Sequence, residues 1–183
     1  DKSYSRKSQF DTLLANPQVV RELVDLFHAR HDPEQVNPRN VSRHRSNIES
    51  LCGQLRTVLE ESLVRNLMAT VLAFLRTNFY TGQSEIAFKV SSPELDFLPA
   101  PIPYREIFVY DHDMQGIHLR GGPVSRGGLR WSDRNDDFRT EILGLMKAQM
   151  VKNTVIVPEG SKGGFVITKQ DWSDRAGQLE KGQ

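Results

Sequence analysis

Little in this chain marks it as secreted, membrane-bound or nucleic-acid-binding. Its 183 residues include one cysteine, Cys52, which rules out an internal disulfide framework and fits a reducing compartment. Cys52 falls among apolar residues at helical spacing, so it is expected to be a small core filler rather than a nucleophile. No apolar run approaches the length of a membrane span, and no signal-type apolar stretch follows Asp1-Lys2-Ser3, so a soluble, cytoplasmic chain is expected. Charge of either sign is not in excess: 24 Lys and Arg oppose 23 Asp and Glu, for a net +1. No global field therefore points to nucleic acid or an anionic membrane, and any anion site must be local. Both common nucleotide fingerprints, Gly-x-x-x-x-Gly-Lys-Ser/Thr and Gly-x-Gly-x-x-Gly, are missing. The histidines supply no metal set either. His28, His31 and His112, the last beside Asp111 and Asp113, are better explained as solvated polar groups.

What is present divides into two stretches. Up to about residue 83 the pattern is helical. Asn16-Pro17 is a cap and first-turn pair, after which Val19, Val20, Leu23, Leu26 and Phe27 recur at helical spacing until Asp32-Pro33. A polar linker is expected from Asp32 to about Val41. Ile48, Leu51, Cys52, Leu55, Val58, Leu59, Leu63, Leu67, Val71, Leu72 and Leu75 then keep the period as far as Phe79, which predicts one long helix or two in line, stopped at Gly82.

Residues 84–183 read as α/β. Ile86–Val90 and 106–110 are predicted strands, separated by a proline-rich connection from Ser92 to Pro103. A turn from Asp111 to Gly116 leads to a return strand, Ile117 to Arg120, and a Gly-rich crossing follows. Ser132 or Asp133 caps a predicted helix with Phe138, Ile142, Leu145, Met146, Gln149 and Met150 on one side, ending at Lys152-Asn153. Met146 and Met150 are expected to fill a core. Thr154–Val157 is a predicted strand, 158–164 a loop, and 165–167 a strand again. Trp172-Ser173-Asp174 caps a last helical stretch, Arg175 to Lys181.

The chemistry concentrates between Arg120 and Gly164, where glycine pairs stand beside cations: Arg120-Gly121-Gly122, Arg126-Gly127-Gly128 with Arg130, and Lys162-Gly163-Gly164. Glycine lets the backbone approach a ligand closely, so a cation beside Gly-Gly suits the lining of an anion pocket. Lys152 is expected at a helix C-terminus, where the dipole favours a cation. Any one of these taken alone is more often a solvated charge in a turn. His118, on the strand into Arg120, is expected to be structural.

The run GIHLRGGPVSRGGLRWSDRNDDFRTEILGLMKAQMVKNTVIVPEGSKGGF, from Gly116 to Phe165, resembles the substrate-binding region of the large NAD-specific bacterial glutamate dehydrogenases. Its skeleton is also similar to that of the smaller glutamate dehydrogenases: a basic-Gly-Gly-Leu-Arg-aromatic run, a helix ending in Lys-Asn, a strand, then a Lys-Gly-Gly loop. The resemblance implies a partial substrate-binding domain with no Rossmann domain in the chain, NAD being held elsewhere in a homo-oligomeric parent. It implies that Lys162 is the catalytic lysine and that Lys152 grips the α-carboxylate of glutamate. Arg126 stands where smaller members have a lysine contacting the side-chain carboxylate; a guanidinium can bind that group bidentately. Gly127, Gly128, Gly163 and Gly164 complete the substrate-binding set. Partial desolvation and two neighbouring cations would both penalise the charged form of Lys162 and suit it to proton transfer. The other readings are a non-catalytic anion-binding or oligomerisation scaffold and a dehydrogenase for another amino acid.

Overall fold

The computed structural model of the chain describes residues 5–135, 137–152 and 159–168, without the side chains of residues 6, 151 and 152. The strand expected at Thr154–Val157 and the helical stretch from Trp172 lie outside the described residues. Contacts divide the chain into two compact units, Asp1–Phe74 with Glu94–Leu98, and Leu75–Pro93 with Pro99–Gln183.

The first unit is built from four helices: α1 (Arg6–Ala15), α2 (Pro17–His31), α3 (Pro38–Cys52) and α4 (Val58–Ala73). Its core gathers Leu23 and Leu26 of α2, Ile48 and Cys52 of α3, and Val64 and Met68 of α4, each large apolar side chain contributing roughly 1.5–3 kcal/mol on burial. Cys52 is the expected core filler, and burial, the largest influence on it, raises its thiol pKa. The linker is shorter than expected, because Asn37-Pro38 starts α3: the Asn37 side chain accepts from Arg39 N at 3.0 Å and Pro38 takes the first turn, as Pro17 does in α2.

Of the one long helix or two in line expected through Phe79, the structure has two, α3 and α4, which are not in line but pack on α2 and on each other. Thr57 and Glu60 form a reciprocal capping box: Glu60 N donates to Thr57 Oγ1 and Thr57 N to Glu60 Oε2, both at 3.1 Å. That box begins a new helix just after Gly53 has ended the old one. At the far end, Phe74 turns extended (ψ 124°) and its ring packs edge-on against Phe27, with centroids 6.4 Å apart. This aromatic contact wins over helical propensity and stops α4 at Ala73.

His31 packs on Phe27 and Phe74, at centroid separations of 5.2 and 6.2 Å. Its buried Nε2 has no hydrogen-bond partner among the described residues. Burial first, then the charge of Arg30, holds the His31 pKa below the ordinary imidazole value, against a backbone hydrogen bond with Val71 that raises it. A lowered folded-state pKa means that the unfolded chain takes up the proton first as pH falls. Stability is therefore full above the ordinary imidazole range and is lost as pH falls through that range toward the folded value. Denaturant unfolding followed by helical signal at about pH 7.5 and about pH 5.5 should show this loss, and His31→Phe should reduce it. An unchanged acid loss in the variant would refute the assignment. His118, lowered by burial and then by Arg120, adds a loss of the same sign.

The second unit is a mixed sheet in the order β1-β2-β3-β4-β7-β5, with β6 also pairing β7. Its strands are β1 (Phe74–Thr77), β2 (Ile86–Val90), β3 (Arg105–Tyr110), β4 (Met114–Arg120), β5 (Ser125–Arg126), β6 (Leu129–Trp131) and β7 (Glu159–Ile167). β2, β3, β4 and β7 run successively antiparallel, while β5 and β6 lie parallel to β7. The helix α5 (Phe138–Lys152) joins β6 to β7. It buries Phe138, Ile142, Leu143 and Met146 against Ile117, Leu119 and Val166. Met146 is core, as expected. Gln149 is half-buried beside Gly160, outside the core cluster, and Leu143 is buried in that cluster instead.

Residues 159–164, expected as a Gly-rich loop, are instead the first part of β7. The glycines serve close packing of helix on strand rather than a turn. A Cβ at Gly160 would stand 2.6 Å from Met150 N and 2.8 Å from Gln149 Cβ, and one at Gly164 would overlap the Ile142 side chain.

Candidate functional site

Side chains alternate across a strand, so Gly160, Lys162, Gly164 and Val166 share the face of β7 that meets α5. Register confirms this for Lys162, which is paired with Leu119, a core residue under α5. The flank of β7 away from β4 is taken by β5 and β6 in succession. Arg126 stands opposite Gly160 and Leu129 opposite Gly163. Gly127-Gly128 therefore runs alongside Ser161-Lys162, pinned by Gly163 N donating to Gly128 O at 3.0 Å. A Cβ at Gly127 would overlap the carbonyl oxygen of Ser161, so the chain passes only as glycine. At Gly128 a Cβ would stand 3.9 Å from the Lys162 ammonium.

Six of the seven sequence-predicted residues thus meet in one corner: Arg126, Gly127, Gly128, Lys162, Gly163 and Gly164. Arg126 is exposed and Lys162 half-buried. The seventh, Lys152, is the last residue of α5, two positions beyond the Met150 nitrogen that abuts Gly160. Its backbone ends at this corner, and its side chain lies outside the described residues.

Arg120 and Arg130, expected as cations of an anion pocket, and Ser132, expected as a helix cap, instead make bracing contacts around the corner, together with Glu106, Arg139 and Glu141, which were not foreseen. Arg120 Nε donates to Ser125 Oγ at 2.9 Å and Arg120 Nη2 to Pro123 O at 2.6 Å, so Arg120 braces the crossing into β5. Buried Ser132 donates to Glu141 Oε2 at 2.5 Å, while its own N–H donates to Phe165 O at 2.8 Å. Glu141 also faces Arg130 at 3.4 Å. Buried Glu106 accepts two bonds from Arg139, at 3.0 and 2.6 Å, and a third from Ser92 at 2.9 Å, anchoring the start of α5 to β3. The signal for such pairs is absent from local sequence, since 33 positions separate Arg139 from Glu106.

His112 makes an exposed pair with Asp113 at 2.8 Å. Among the described residues no group of three His, Cys, Asp or Glu could hold a metal, and no helix is long and apolar enough to cross a membrane.

These features define an α/β domain whose parallel strand-helix-strand crossover carries a glycine-lined cationic corner. Residues 47–183 match the family described as the bacterial NAD-glutamate dehydrogenase catalytic domain. The chain belongs to that family. It is 44% identical over 179 residues to the NAD-specific glutamate dehydrogenase of Halomonas elongata, a match covering 93% of this chain and 11% of the relative. The enzyme of the same name from Mycobacterium tuberculosis is 44% identical over 176 residues, 91% of this chain and 11% of the relative. That of Pseudomonas aeruginosa is 46% identical over 165 residues, 84% of this chain and 10% of the relative. The chain therefore spans only about a tenth of the length of these relatives.

Proposed function

We propose that the chain is the dicarboxylate-binding part of an NAD-dependent glutamate dehydrogenase, a soluble cytoplasmic homo-oligomer that converts L-glutamate to 2-oxoglutarate and ammonia. In this reading residues 1–83 are a helical region and residues 84–183 begin the substrate-binding domain. The observation that carries it is the Lys162 ammonium beside Gly128, in the corner that also holds Arg126 and ends α5 at Lys152. Three cations at one corner suit a five-carbon substrate with a carboxylate at each end. Arg126 takes the side-chain carboxylate and Lys152 the α-carboxylate, and Gly127, Gly128, Gly163 and Gly164 let the substrate lie close to backbone.

The described residues do not fit a dinucleotide. Neither nucleotide fingerprint occurs in the sequence, and the charges at the start of α5 are engaged with one another, Arg130 with Glu141 and Arg134 with Asp137, rather than offered to a pyrophosphate. NAD is therefore assigned to a domain elsewhere in the parent and, when bound there, would supply the hydride acceptor. The residues of this chain bind and orient the two carboxylates. Lys162 takes the proton from the water that attacks the substrate's iminium carbon, and holds the resulting hydroxyl in place.

Substrate profiling of the parent tests the assignment of Arg126. Arg126→Leu should lower kcat/KM for glutamate by roughly 10–100-fold, since a charged hydrogen bond is worth about 1.5–3 kcal/mol. Aliphatic amino acids should be spared or improved. Equal losses for both classes would place Arg126 outside the side-chain pocket.

A further inference from the structure

Two buried side-chain polar atoms among the described residues have no hydrogen-bond partner, His31 Nε2 and Glu159 Oε2. The second belongs to the cationic corner. A buried acceptor without a donor destabilises the fold that keeps it, so one retained beside a binding site calls for a ligand. The other carboxylates nearby are already engaged: Glu141 with Ser132 and Arg130, and Glu106 with Arg139 and Ser92.

Glu159 opens β7, opposite Ser125 of β5. Its side chain is seated against Gly121-Gly122, the one glycine pair that the substrate-binding set leaves unused. A Cβ at Gly122 would stand 2.3 Å from Glu159 Cγ, and one at Gly121 would stand 3.0 Å from Oε2 and 3.3 Å from Met150 Sδ. Strand alternation starts Glu159 on the face away from Lys162, yet its carboxyl curls round to the last turn of α5, the end that carries Lys152. Arg120, the cation beside that glycine pair, is engaged with Ser125 Oγ and Pro123 O instead. The glycines that the sequence places beside a cation thus make room for a carboxylate.

Charge balance names the group it would meet. Glutamate carries two carboxylates and one ammonium, and the cations of the corner answer only the carboxylates. An ammonium among Arg126, Lys152 and Lys162 is repelled unless an anion faces it. We propose that Glu159 receives the α-ammonium of the substrate, an inference that rests on the glutamate reading of this corner. The end of α5 is assigned to the α-carboxylate, and the same carbon bears the ammonium, so an acceptor at that end is placed where the ligand needs one. Glu159 is half-buried rather than sealed; a ligand meets its carboxyl from the open side, and rotation about the soft terminal torsion turns Oε2 toward it. Such an acceptor favours the amino acid over the keto acid, which has no ammonium and whose carboxylates Glu159 repels.

The test is calorimetric titration of the full-length parent with glutamate and with glutarate, which has both carboxylates and no ammonium. Glu159→Gln should raise the Kd for glutamate at least about tenfold, through the loss of one charge-assisted hydrogen bond, and leave the Kd for glutarate unchanged or lower. Denaturant melts of the ligand-free variant should show no loss of stability, because Oε2 bonds to nothing there. Glu159→Ala takes the place of the amide should the latter disturb the seat under Gly121-Gly122. Equal changes for the two ligands, or none, overturn the assignment. So does an early melt with both ligands weakened, which would make Glu159 structural. A parent that shows the expected split between the ligands but never oxidises glutamate would sink the dehydrogenase reading and keep the ammonium assignment; one that binds neither ligand would overturn both.

Discussion

Lys162→Ala in the full-length parent should lower kcat for glutamate oxidation by roughly 10²–10⁴-fold, the range over which a positioned proton-transfer group contributes. Glutamate should still bind, because the carboxylate contacts assigned to Arg126 and Lys152 remain. The two readouts separate the enzyme from the scaffold: turnover measures the proton transfer, and calorimetric titration with glutamate measures the anion corner. A parent that never turns over but assembles intact oligomers would favour a non-catalytic module. Activity unchanged in the alanine variant would remove Lys162 from the mechanism. The structural ground for expecting an intact fold is that Lys162 is half-buried and sits at the open corner beside Gly128, so its truncation leaves no sealed cavity.

Gly127→Ala should do the reverse and damage the fold. A methyl group there overlaps the Ser161 carbonyl oxygen, which is backbone and cannot swing aside as a side-chain tip can. To accommodate it, the Gly127-Gly128 link must lift from Ser161-Lys162, at the cost of the Gly163–Gly128 hydrogen bond. A destabilisation of about 3 kcal/mol or more is expected, at the upper end for single substitutions. Gly144→Ala is the matching control. Gly144 is exposed in the middle of α5 with nothing within 4 Å of a Cβ, so alanine should stabilise by about 0.5–1 kcal/mol through helix propensity. Denaturant melts of the two variants should shift in opposite directions. A Gly127→Ala protein as stable as the parent chain would show that β5 and β6 do not abut β7 as described.

Much of the second unit was legible because its signals are local. Ile86–Val90 and Arg105–Tyr110 are runs rich in β-branched and aromatic residues, and both strands lie within one residue of the expected bounds. The residues of α5 follow the apolar period closely enough to place its end at Lys152. The glycines of β7 were misread as a loop because their cause is tertiary: Ile142, Gln149 and Met150 of α5 press against the strand where those residues lack a side chain. The break between α3 and α4 was within reach of sequence. Thr57-Val58-Leu59-Glu60 carries the capping-box spacing, but the apolar period continued across it and drew the helix onward. α1 was missed because neither face of it is strongly apolar; Ser5, which accepts from Ser8 N at 3.1 Å, was the one cue. In the candidate corner the cations were legible from glycine pairs and family resemblance. Their supports, Glu106–Arg139 and Ser132–Glu141, were not, since nothing local predicts which carboxylate a distant arginine will meet.

The bare backbone of β7 has a mechanical consequence. Where most helices rest on a sheet through a cushion of side chains, the last turn of α5 leans on Gly160 with no cushion between. A cushion can absorb a small displacement by rotamer adjustment, whereas a rigid seat passes it on. A tilt of the last turn of α5 is therefore handed directly to the strand bearing Lys162, so the two backbones shift as one piece with their spacing unchanged.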